Sequence, residues 1–116
     1  VIHGIGIDAL EVSRFKRAMD RWGERLTSRL FTGGELAYCM RHRSPERHLS
    51  ARFAAKVSFF KALGRVLPYR EVEVVKDSSG APSIMARGLG GGLKVNLSIS
   101  HDGDLSIAET IIEVCP

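Results

Sequence analysis

The stretch from Pro45 to Leu63 carries one sustained periodicity. Ala55, Phe59, Ala62 and Leu63 recur at i, i+4, i+7 and i+8, an apolar stripe for one helix face. Ala, Leu, Lys and Arg favour the helix, no proline interrupts it after Pro45, and Gly64 stands where a left-handed cap belongs. Ser44-Pro45 supplies the start, a capping residue followed by proline in the first turn. A different face, Ala54, Val57, Ser58 and Lys61, is small-sided and carries a cation, so a ligand can approach it closely.

The same reading places the other elements. Residues 2–9 predict a strand with Ile5 and Ile7 on one side and Gly4 and Gly6 on the other. Glycine inside a strand often marks close approach of another backbone or a ligand. From 11 to 30, Val12, Phe15, Met19, Trp22 and Leu26 make a helical core face, and Arg14, Arg17, Arg21 and Arg25 run along another. Gly23 is placed to break or bend this helix. Thr32 and Glu35 have capping-box spacing before Leu36, which opens a short helix to about Arg41. The alternative for Glu35 is a catalytic acid or base.

Residues 71–76 and 81–86 read as strands joined by the turn Asp77-Ser78-Ser79-Gly80. Val95, Leu97 and Ile99 alternate with polar neighbours, the chain turns at 101–104, and residues 105–114 form the last strand. Residues 87–92 are glycine-rich but lack the lysine and serine or threonine of a P-loop, which favours a flexible linker. The sum is an α+β fold in a single domain, residues 1–116. A small antiparallel or mixed sheet packs against one long helix and two shorter ones.

Charge narrows the partners. The net charge is +4 and the pI about 9.4, which points to something anionic: nucleic acid, an acidic protein or a phosphorylated ligand. The arginine stripe has only Asp20 and Glu24 near it, so a docking face is favoured over a merely solvated one. A nucleic-acid module lacks support, because no aromatic residues interleave the stripe and no such motif is present. Cys39 and Cys115 form neither a metal spacing nor a disulfide framework, and the four histidines are scattered. No apolar run is long enough for a membrane and no signal peptide opens the chain, so a cytoplasmic protein is expected.

Three ordered motifs carry a family resemblance. They are Gly4-Ile5-Gly6-Ile7-Asp8, then Arg52-Phe53-Ala54-Ala55-Lys56 continuing to Lys61-Ala62-Leu63-Gly64, then Leu97-Ser98-Ile99-Ser100-His101. Order, spacing and length together resemble the holo-acyl-carrier-protein synthases, the short class of 4'-phosphopantetheinyl transferases. The resemblance implies transfer of phosphopantetheine from coenzyme A to a serine of apo acyl carrier protein, in a magnesium-dependent homotrimer with sites between subunits. Neither nucleic acid nor membrane enters that function.

Residue by residue, the resemblance makes Asp8 the metal carboxylate. Lys61 would hold phosphates or the leaving group. Arg52, Lys56, Gly64 and His101 would contact coenzyme A, and Arg14, Arg21 and Arg25 would grip the carrier. For Asp8 read alone, capping the following helix leads; for His101 alone, a structural role leads. The pattern departs at Val57, where the family has a second metal-binding glutamate. Water, Glu11 or Asp102 would then have to complete the shell. Failing that, the chain would be an impaired binder of coenzyme A and carrier.

Overall fold

The computed structural model describes residues 1–116. Strand β1 (Ile2–Glu11) pairs antiparallel with β5 (Leu105–Val114), and β5 pairs antiparallel with β4 (Leu93–Asp102). The sheet order is therefore β1-β5-β4, and a separate hairpin joins β2 (Val72–Lys76) to β3 (Pro82–Ala86). The long helix α4 (Pro45–Leu63) lies across one face of the three-stranded sheet. It ends at Gly64, whose φ of 87° is the left-handed conformation that glycine adopts without strain.

Two glycines set how closely α4 lies on β1. A Cβ at Gly4 would fall inside 3.0 Å of the Ala62 carbonyl oxygen, and one at Gly6 inside 3.0 Å of the Ser58 carbonyl oxygen. The strand glycines thus admit another backbone, one of the two readings their position allows. Below the helix, β5 turns Ser106, Ala108, Thr110 and Ile112 inward, all buried. Two hydroxyl pairs cross this layer, Ser58–Thr110 at 2.7 Å and Ser50–Ser106 at 3.0 Å, so its buried hydroxyls are satisfied. Phe59, Phe60, Leu63, Val72 and Ile112 form the main apolar cluster.

The segment before α4 departs from expectation. The double-striped region is two helices, α1 (Val12–Trp22) and α2 (Glu24–Leu30), divided at Gly23 with φ 53°. With α3 (Gly33–Cys39) there are three shorter helices rather than two. Val12 and Phe15 are buried as expected, but Trp22 is 47% exposed, because the break at Gly23 ends the register that would have carried the stripe onward. Asp8 does not cap α1. Strand β1 runs on to Glu11, and the α1 N-terminus is satisfied by Asp104 from the β4–β5 turn, which accepts from Ser13 N (3.1 Å) and Ser13 Oγ. The Thr32–Glu35 capping box is present, and both cysteines are free thiols.

Candidate active site

Asp8 sits mid-strand on the inner face of β1, two residues beyond Gly6 and opposite Ala108. The close crossing of α4 brings Lys61 to it. Lys61 Nζ donates to the Ile7 carbonyl at 2.9 Å and lies 3.5 Å from Asp8 Oδ1. Burial raises the Asp8 pKa above the usual aspartate value, with the Lys61 charge and hydrogen bond opposing. Its carboxylate is thus incompletely compensated and 19% exposed, beside a half-exposed ammonium. The Tyr69 phenol is held above its ordinary pKa by burial and, secondarily, by the charge of Asp8. That places Tyr69 in the electrostatic reach of the pair, a neighbour the sequence did not signal.

Val57 is half-buried one turn before Lys61 on α4. No group of three or more histidine, cysteine, aspartate or glutamate side chains assembles anywhere in the chain. Glu11 and Asp102 do not complete the set, because the register puts both in the Leu105 row, on the sheet face opposite to that of Asp8. One carboxylate still fits magnesium, which uses one or two carboxylates and fills its shell with phosphate oxygens and water.

A second cationic cluster lies farther back along α4. From Arg52 to Lys61 is nine residues, about 13 Å of helix. Arg52 and His101 share the lining of a cavity of about 270 Å³ with Tyr38, His48 and Lys76. Arg52 is only 8% exposed; its guanidinium stacks 4.6 Å over the Tyr38 ring, and its Nε has no hydrogen-bond partner. An unpaired buried donor beside Lys76 and His101 suits an anion. Burial lowers the His48 pKa, and the nearby His42, Arg52, His101 and Lys76 charges lower it further, so His48 is a neutral imidazole at neutral pH. His48 precedes Arg52 by one helical turn and was findable from spacing. Tyr38 and Lys76 arrive from α3 and β2, with no local signal.

Lys56 is the clear correction to the expected ligand set. It is fully buried, and its Nζ donates to Glu35 Oε1 (2.7 Å), Leu30 O (2.7 Å) and Tyr69 O (3.0 Å). All three donors of the ammonium are consumed inside the protein, so none is left for a phosphate. Glu35 in turn accepts from Thr32 N and Val74 N, so it is neither free acid nor simple cap. Gly64 lies exposed at the end of α4 with open space where a Cβ would project. Arg14, Arg21 and Arg25 are all exposed, but the break at Gly23 puts Arg25 on α2, so the stripe spans two helices.

The model of the 4'-phosphopantetheinyl transferase superfamily matches residues 4–115, nearly the whole chain and all the residues of both clusters. The chain belongs to this family. A holo-[acyl-carrier-protein] synthase of Geotalea daltonii is 36% identical over 97% of this chain and 99% of its own length. The crystal structure of the Neisseria meningitidis holo-[acyl-carrier-protein] synthase superposes with a TM-score of 0.86 at 28% identity, over 97% of this chain and 99% of that one. A Bacillus anthracis holo-(acyl-carrier-protein) synthase, solved in complex with CoA (3',5'-ADP), gives 0.84 at 28% identity over 97% of both chains. Family and fold are thus shared across nearly the whole chain. No helix is long and apolar enough to cross a membrane.

Proposed function

We propose that this protein transfers 4'-phosphopantetheine from coenzyme A to a serine of apo acyl carrier protein, releasing adenosine 3',5'-bisphosphate, in support of fatty acid synthesis in the cytoplasm. The observation that carries it is the Asp8–Lys61 pair at the glycine crossing of α4 and β1, within a family match from residue 4 to 115. The serine oxygen forms a bond to the phosphorus that bears pantetheine, the pyrophosphate P–O bond breaks, and the hydroxyl proton must leave. Such transfers depend on positioning and charge neutralisation.

Asp8 would hold magnesium, with the substrate's phosphates and water as the other ligands. Magnesium supplies neutralisation of the pyrophosphate charge when bound. Lys61, half-exposed and held by Ile7 O, presents its ammonium to the same phosphates. Arg52 and Lys76, in a cavity whose lining includes His101 and the neutral His48, offer a separate cationic seat for the remaining phosphate. Arg14, Arg21 and Arg25 present an exposed cationic face to an acidic carrier helix. Asp8 and Lys61 stay 19% and 54% exposed in the single chain, and in this reading a neighbouring subunit of a homotrimer closes the site over them.

The test is direct. Incubation with apo carrier protein, coenzyme A and magnesium, followed by mass spectrometry of the carrier, should show the gain of one phosphopantetheine. Retained coenzyme A binding without any mass gain would overturn the reading. Val57 would then be the first position to restore to glutamate.

A further inference from the structure

The two hydroxyl pairs beneath α4 end differently. Ser58 Oγ donates to the Ala55 carbonyl at 2.8 Å and meets only Thr110, so that pair closes on itself. The Ser50–Ser106 pair runs on: Ser106 Oγ lies 3.3 Å from His101 Nδ1, its cross-strand partner beside the β4–β5 turn. Ser50 and Ser106 are both fully buried, so solvent supplies neither with a partner. His101 is exposed, at the lining of the cavity that holds Arg52 and Lys76.

Counting protons along this chain fixes its direction. A carbonyl only accepts, so Ser50 spends its single hydroxyl proton on the Arg47 carbonyl at 3.1 Å. The 3.0 Å bond between the serines must then be donated by Ser106 to Ser50. That uses the Ser106 proton, and its oxygen can only accept from the ring. His101 therefore carries its proton on Nδ1, which leaves Nε2 of the neutral imidazole as a bare acceptor. The opposite tautomer needs the Ser106 proton for itself, so one of the three contacts is lost inside a layer closed to water, where an unpaired polar group is costly.

We infer that Ser106, held in turn by Ser50, is a positioning residue that fixes the ring of His101 and its Nδ1–H tautomer, so that the cavity offers a ligand two cationic donors and one acceptor nitrogen. Arg52 and Lys76 are the donors, and Nε2 of His101 is the acceptor. A bare phosphate oxygen has no proton to give to Nε2. The pattern instead fits a nucleotide, in which an N–H or O–H group stands beside the phosphate. The ligand side of this inference rests on the coenzyme A reading given above; the tautomer rests on the hydroxyl chain alone.

Long-range proton–nitrogen NMR of the ligand-free protein at about pH 9, where imidazoles are neutral, reads which ring nitrogen carries the proton. The parent should carry it on Nδ1 of His101. Ser50→Ala, which does not touch the ring, frees the Ser106 proton to be donated to Nδ1 and should move the ring proton toward Nε2; Ser106→Ala should do the same. Ser58→Ala, in the pair that stops short of His101, should leave the ring as it is. Calorimetry should show Ser106→Ala binding coenzyme A roughly three- to tenfold more weakly, the range of one hydrogen bond, and causing no further loss in a His101→Ala background. A parent ring protonated on Nε2, or a tautomer unmoved by both serine changes, would overturn the hydroxyl chain. An equal loss of affinity in both backgrounds would overturn the positioning role and make Ser106 merely structural. A parent that binds no coenzyme A would overturn the proposed function and the ligand pattern built on it, while the ring spectra still decide the tautomer.

Discussion

Replacing Lys56 by methionine should cost far more stability than a surface lysine. The methionine fills nearly the same space, so the loss isolates the ammonium. That ammonium is fully buried and holds three acceptors from three parts of the chain: Leu30 at the end of α2, Glu35 on α3 and Tyr69 ahead of β2. Without it, two carbonyls lose a donor and a buried carboxylate loses its counter-charge, although Glu35 keeps its bonds from Thr32 N and Val74 N. Removing one member of a buried ion pair costs about 3–5 kcal/mol, against a typical domain stability of about 5–15 kcal/mol. Urea unfolding of parent and variant at one fixed protein concentration measures it. Adding Glu35→Gln to Lys56→Met should return more than about 1 kcal/mol, since the second change removes the stranded charge. Where the single variant remains folded, coenzyme A affinity should change less than about threefold, because Lys56 faces no ligand. A stability loss under about 1 kcal/mol, or strictly additive single changes, would refute the argument that this pair ties α2, α3 and α4 together.

Two further outcomes follow from the α4–β1 crossing. Burial raises the folded-state pKa of Asp8, so its contribution favours the fold most below the ordinary aspartate pKa of 3.8 and is lost as pH rises through the folded value. Asp8→Asn should therefore raise the melting temperature near pH 7, with no gain near pH 3, while abolishing magnesium-dependent transfer; equal melting curves at both pH values would contradict the burial argument. Gly6→Ala must push α4 off the strand, because the new methyl meets the Ser58 carbonyl, and should cost about 2–3 kcal/mol in urea unfolding and lower turnover with it. An alanine variant as stable and active as the parent would show that the close crossing is dispensable.

Much of this protein is written locally. The α4 stripe, the Gly64 cap, the capping box at Thr32 and Glu35, and the turn at Asp77–Gly80 are short-range features, where neighbouring residues alone specify backbone conformation. The break at Gly23 was legible for the same reason, although its consequence for Trp22 was not. The three motifs that mark the family lie almost wholly in single elements, so order and spacing single out Asp8 and Lys61, which the fold brings to 3.5 Å.

What the sequence left open depends on which elements meet. Lys56 and Lys61 are both lysines on the inner part of one helix, yet one is enclosed by Glu35, Leu30 and Tyr69 while the other reaches solvent beside Asp8. Five residues rotate a side chain by about 140° around a helix, and only the packed neighbours decide whether that direction is core or cleft. Tyr38 and Lys76 join Arg52 from other elements, and Asp104 caps a helix ninety-one residues before it in the chain. Sequence periodicity reports which face a residue occupies. Burial, ion pairing and the two cationic clusters arise from long-range contacts, and those exist only once the chain has folded.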